Sequence, residues 1–351
     1  MRTTLRFALA LLTLLGTTLA AAPAATPQQA GAATATQDST KKKPKGLPLE
    51  ATRDISFSTE KGTWMSVDVS PDGTTLVFDL LGDLYTLPMA GGTATRLTSG
   101  LPYDAQPRFS PDGKTIAFVS DRDGGNNIWT MSLDGRDTVQ VTTGKSFEYA
   151  SPEWTPDGEY IVASKGRRVE QLWMFHKDGG GGVQLIKKPD NLKTLGAAFG
   201  SDPRYIWFAE RQGDWQYNAI FPQYEIAVYD RRTGKRTVMT DRVGSAFRPT
   251  LSPDGKWMVY GTRLDAKTGL LIRNQETGQE RWLAYPVQRD DQESVAPLDV
   301  LPGMSFTPDG QFVVASYGGE FWKIPVDGSA PTKIPFTADV DMKLGPLSRF
   351  E

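Results

Sequence analysis

The chain has 351 residues, with 39 Lys+Arg against 41 Asp+Glu, 35 glycines, 24 prolines, one histidine and no cysteine. Without cysteine there is no disulfide framework, thiolate zinc site or cysteine nucleophile, and the single histidine, His176, rules out a multi-histidine metal centre. A formal net charge of −2 leaves no electrostatic footprint for nucleic acid, and the many glycines and prolines favour turns over long helices.

Residues 1–20 place Arg2 and Arg6 before the apolar run Phe7 to Leu15 and close on small residues at Ala20. That order is the one used by a secretory signal peptide, and it predicts a protein exported to the periplasm or medium. The apolar run is too short to span a bilayer, and nothing downstream is long and apolar enough, so no transmembrane segment is expected. Residues 21–50, rich in Ala, Thr, Gln, Pro and Lys, carry too little apolar surface to offset their ordering entropy and read as a disordered linker.

A repeat organises the remainder. Ser-Pro-Asp-Gly occurs at 70–73, 110–113 and 252–255, Thr-Pro-Asp-Gly at 155–158 and 307–310, and a degenerate copy begins at Gly200. The starts 70, 110, 155, 200, 252 and 307 are spaced by 40 to 55 residues, which suits four short strands plus turns. In the second unit the turn Ser110-Pro-Asp-Gly113 is followed by the β-rich run Thr115 to Val119 and the polar stretch Asp121 to Asn127. The alternating run Ile128 to Leu133, an Asp134-Gly135 hairpin turn and the run Thr138 to Thr142 complete it. The residue before each turn is apolar (Val69, Phe109, Trp154, Phe199, Leu251, Phe306), and pairs such as Leu84-Tyr85, Ile128-Trp129 and Phe321-Trp322 supply large core side chains. Four such strands cannot bury two apolar faces alone, but six units packed radially can. The fold expected is all-β, a six-bladed β-propeller of four-stranded antiparallel blades over residues 53–337.

The strand count leaves ring closure open. Arg53 to Thr59 looks like a fourth strand with no blade ahead of it, yet Thr332 to Thr337 already supplies one to the sixth unit. Either the array continues beyond Glu351, or residues 53–59 displace or double the last edge. Residues 338–351 read as the approach to a further region, which makes the chain the front part of a longer protein and the ring incomplete at its C-terminal end.

The Ser-Pro-Asp-Gly turns, Ser120-Asp-Arg-Asp-Gly124 before a third strand, and the closing Leu97-Thr98 and Val141-Thr142 resemble the repeats of the TolB-type propeller family. The whole layout, with Gly-Thr-Trp-Met-Ser-Val-Asp-Val-Ser-Pro-Asp-Gly at 62–73 and Gly345 to Phe350, is most similar to the N-terminal propeller of exported metal-dependent amidohydrolases. The resemblance implies a noncatalytic module that packs against, or gates, a hydrolase domain in cis. The alternative it implies is a stand-alone TolB-like scaffold binding an envelope protein. That group's metal ligands, clustered histidines with an aspartate, have no matching motif here, so no cofactor, metal or catalytic residue is assigned to this chain.

Local motifs agree with a noncatalytic reading. There is no Gly-x-Ser-x-Gly elbow, Gly179 to Gly182 lacks the Lys-Ser/Thr of a phosphate loop, and Asp121 to Asn126 lacks the glutamate that completes a calcium loop. Topology points to one end of the ring as the binding face, where fourth-to-first and second-to-third strand loops surround the channel. Candidate residues there are Tyr103, Asp104, Phe147, Glu148, Tyr149, Asp241 and Arg242, the acidic run Asp290 to Glu293, and Trp215 and Tyr217 in the insertion 210–223.

Overall fold

A computed structural model describes residues 50–213 and 223–347. The signal and linker segments, Trp215 and Tyr217 lie outside the described residues. Among those described there is no helix; they form six four-stranded antiparallel sheets and one three-stranded sheet.

Each blade grows from its Ser/Thr-Pro-Asp-Gly turn. In the second blade the Ser110 hydroxyl donates to Asp112 Oδ1 at 2.6 Å and accepts the Thr115 amide at 3.0 Å, while Asp112 accepts the Lys114 amide at 3.1 Å. Gly113, at φ 70°, returns its amide to the Ser110 carbonyl. The first, third, fifth and sixth blades repeat this network on Asp72, Asp157, Asp254 and Asp309. Each of these aspartates is held below the usual carboxylate range, chiefly by the hydroxyl that donates to it.

The turns also report the ring. A Cβ on Gly113 would lie 3.3 Å from Pro71 of the preceding blade, and Gly158 faces Pro111, Gly255 faces Ser201 and Gly310 faces Pro253 in the same way. Gly73 of the first blade faces Pro308 of the sixth at 3.4 Å, so the sixth blade neighbours the first. Apolar side chains fill each gap between blades. Phe118 and Leu84 pack between the first two, Phe208 and Leu172 between the third and fourth, and Phe78 and Phe321, with ring centroids 4.8 Å apart, between first and sixth.

The three-stranded sheet settles the surplus strand and corrects the expectation for the tail. Thr332–Ile334 is the sixth blade's fourth strand, and after Pro335 the chain continues as the strand Phe336–Leu344. This strand starts parallel to Gly92–Thr93 beside the first blade, then pairs antiparallel with Arg53–Thr59 over seven residues, from Thr59↔Ala338 to Arg53↔Leu344. Its alternation explains the docking: Phe336, Ala338 and Val340 are buried in the core between sixth and first blades, while Asp339 and Asp341 face out and accept from Ser58 and Ser56. Residues 338–344, read as the start of a tail, belong to the strand that laces the two ends of the ring together.

Candidate functional site: a barred channel

The repeat phase fixes what lines the channel. Counting back from each turn's Ser or Thr position, the residue two before it gives one tier: Asp68, Arg108, Glu153, Ala198, Thr250 and Ser305. The residue four before it gives another: Ser66, Gln106, Ser151, Gly196, Arg248 and Gly303. In blades two to five a β-bulge falls between the tiers, after Ala105, Ala150, Leu195 and Phe247. Gln106, Ser151 and Arg248 take φ of 56°, 52° and 55° there, followed by Pro107, Pro152 and Pro249, which have no amide to leave unpaired. The bulge re-aims polar side chains towards the axis.

The stretch 285–304, between the fifth blade's last strand and Ser305–Phe306, crosses the channel as a bar. Asp299, wholly buried, accepts from Arg248 Nη1 at 2.6 Å and Ser151 Oγ at 2.5 Å through Oδ2, and from the Val300 amide through Oδ1. Gln106 donates to the Leu298 carbonyl, Lys193 to the Val295 carbonyl while paired with Glu170, and Ser245 to Gln292 Oε1. Asp290 anchors the bar's near end against Thr268 and Arg263, and Ser66 holds the far end at the Gly303 amide. Every other blade thus contributes a polar contact. Gly196 leaves the necessary room, since a Cβ there would lie 2.8 Å from Asp299 Oδ2.

Below the bar, at the end bearing the turns, lies a cavity of about 190 Å3. Its charged wall is Asp68, Arg108 and Glu153; its opposite wall is Ala198, Thr250 and Ser305 with Phe199, Leu251 and Phe306. Arg108 reaches Asp68 Oδ1 at 3.1 Å through Nη1 and Glu153 Oε2 at 3.2 Å through Nε. Burial pushes Glu153 up to about 7 despite Arg108, and burial likewise raises Asp79 to about 7 although it accepts the Ser66 and Gln106 amides. Among the described residues no group of three or more His, Asp or Glu is gathered as metal ligands, and no helix is long and apolar enough to cross a membrane.

Comparison with known proteins matches this architecture. Residues 65–217 fit the family model of the tricorn protease N-terminal beta propeller domain. Over 78% of this chain and 65% of its own, the crystal structure of TolB from Acinetobacter baumannii superimposes with a TM-score of 0.60 at 19% identity. The chain is a TolB-like β-propeller. Tricorn protease homolog 1 of Streptomyces coelicolor is 30% identical over 295 residues, 79% of this propeller chain but 25% of that protein. The uncharacterized peptidase YuxL of Bacillus subtilis is 25% identical over 178 residues, 49% of this chain and 24% of that protein. The propeller chain therefore spans about a quarter of the length of these curated relatives.

The propeller separates the loop residues expected at the binding face into two groups. Tyr103, Phe147, Glu148 and Asp241 are exposed there. Asp104 is buried in a two-oxygen pair with Arg122, the Arg242 guanidinium is spent on Thr262 and Glu280 while its amide donates to Glu225, and Tyr149 lies in the core. Phe147 and Trp173 flank the Lys165 ammonium at 4.9 and 4.2 Å, a cation–π box that props Phe147 outward. In the Asp121 to Asn127 loop, Asp121 accepts the Tyr103 amide and Asp123 accepts from Asn127 and Gln140. His176 is half-buried at a strand end between Glu159 and Asp178. The channel tiers were not among the candidates, although a charge at constant offset before successive turns (Asp68, Arg108, Glu153) marks them in the sequence. Asp299 has no such mark, because it lies in the longest insertion between repeats.

Proposed function

We propose that this propeller is a noncatalytic module of an exported hydrolase, most similar to the N-terminal propeller of metal-dependent amidohydrolases, docking its hydrolase domain on the loop end of the ring. The carrying observation is a difference between the two ends. Leu81, Tyr103, Phe147, Val243, Tyr285 and Val295 are all exposed on loop-end connections, with Val243 at 93%, whereas Leu133 is the one large apolar side chain exposed on a turn-end connection among the described residues. Apolar side chains gathered on one face are a signature of an interface. The tricorn and peptidase relatives support a hydrolase as the partner, and the signal-like residues 1–20 support export.

The bar gives the docked face a role, because it blocks passage through the ring and leaves substrate to reach a docked catalytic site by another route. A photo-crosslinking residue at Tyr103, Phe147 or Val243 in the protein produced from its native gene is expected to capture the hydrolase domain, and one at Leu133 or Lys256 is not. Capture from the turn end only would overturn the orientation. Robust hydrolysis by residues 1–351 alone, abolished by one acid substitution, would overturn the noncatalytic assignment.

A further inference from the structure

The turn-end cavity has the features of a selective pocket. Its charged wall carries Asp68 and Glu153 against Arg108, and the nearby Arg248 is paired with Asp299 of the bar. Asp68 is used up, with Oδ1 on Arg108 and Oδ2 on the Phe109 amide at 2.8 Å. Glu153 is not: among the described residues Arg108 is the one side chain that pairs with it, at Oε2, and its side chain remains 24% exposed on the cavity wall. The facing tier is small, Ala198, Thr250 and Ser305, so the ring leaves room for roughly six waters at ~30 Å3 each. Phe199, Leu251 and Phe306 give that side apolar surface.

Two features outside the cavity select the sign of a ligand and its way in. The bar closes the loop end, so entry is from the turn end. The six first-to-second strand turns there carry Asp72, Asp112, Asp157, Asp202, Asp254, Asp309 and Glu159, against Lys114, Arg204 and Lys256. Such a rim concentrates cations at the mouth. A pocket with an under-partnered carboxylate on one wall and apolar carbon on the other suits a positive charge on a short aliphatic stem.

We propose that the turn-end cavity binds an aliphatic ammonium presented by a peptide, either a lysine side chain or a free amino terminus, with Glu153 as counter-ion and the Phe199, Leu251 and Phe306 wall holding the stem. This site is at the opposite end of the ring from the hydrolase-docking face and stands or falls independently of it. Ligand-observed NMR on the full chain tests it with three probes: Nα-acetyl-lysine methylamide, dialanine methylamide with a free amino terminus, and neutral Nα-acetyl-norleucine methylamide. At least one ammonium probe is expected to bind ten times or more tightly than the norleucine probe, and which one binds identifies the source of the charge. Glu153→Gln is expected to weaken that probe at least tenfold. Ala198→Leu, which fills the cavity without touching a charge, is expected to abolish binding, and it decides the matter if E153Q does not fold. Equal binding of norleucine, no binding by either ammonium probe, or unchanged binding in a folded E153Q or A198L protein would each overturn the proposal.

Discussion

Asp299 and Arg248 form a buried pair whose worth lies in what its loss exposes. Asp299→Ala leaves the Arg248 guanidinium, 3% exposed, without its counter-ion, and the expected cost is about 3–5 kcal/mol in urea denaturation. The double variant D299A/R248M removes the orphaned charge and is expected to recover part of that loss; equal destabilisation by the single and double variants would contradict the pairing. Glu153 acts through protons. With its folded value about 7 against an ordinary 4.5, the folded state binds more protons than the unfolded state across that interval. Stability therefore falls as pH rises through it, with Asp79 contributing in the same direction. The turn aspartates act oppositely, since their lowered values give stability that is lost as pH falls below their ordinary 3.8. Maximum stability is expected in the mildly acidic range between these limits. Glu153→Gln, beside Arg108, Asp68 and Arg248, is expected to flatten the fall in Tm between about pH 5 and 8; an unchanged slope would reject Glu153 as a source. Ser110→Ala removes a buried hydroxyl that serves both Asp112 and the Thr115 amide, at an expected cost of about 1–3 kcal/mol.

At the level of elements, the blades were legible and the lacing strand was not. A blade is a local object: Ser110, Asp112 and Gly113 lie within four residues of one another, and the hydrogen bonds that make the turn are made among them and their immediate followers. Even the degenerate fourth unit could be placed by aligning Phe199 with Phe109. The strand Phe336–Leu344 is legible only as alternation, Phe-Thr-Ala-Asp-Val-Asp-Met, and alternation alone does not name a partner at Arg53–Thr59, near the other end of the ring sequence. Its apolar residues stand beside Phe78 and Phe321, with Phe78 and Phe336 ring centroids 5.7 Å apart. Val340→Asp is accordingly expected to lower stability by about 3 kcal/mol or more, because it buries an unpaired carboxylate in that core. A chain ended after Thr337 is expected to lose cooperative unfolding, checked by the width of its thermal transition. An unaltered transition would show that the lacing strand is dispensable.

For the whole molecule, the two ends of the ring are different surfaces, one studded with apolar loop residues and barred, the other ringed by the acidic turns. Val243→Glu is expected to change stability by no more than about 0.5 kcal/mol, since that side chain is 93% exposed, while Tyr103→Glu also loses the packing of its ring on Gly82; together they are expected to abolish capture of the docked domain. A large loss of stability would mean that these residues support the ring itself. Six blades, their turn chemistry and the end of the ring bearing the loops all follow from contacts between residues close in the chain, so periodicity and turn-forming residues were enough to read them. Which residues meet across the axis depends on closing the ring first. Asp299 finds Ser151 and Arg248, Glu153 finds an emptied wall opposite, and residues 336–344 find residues 53–59, because packing in three dimensions brings together positions that no local pattern in the chain relates.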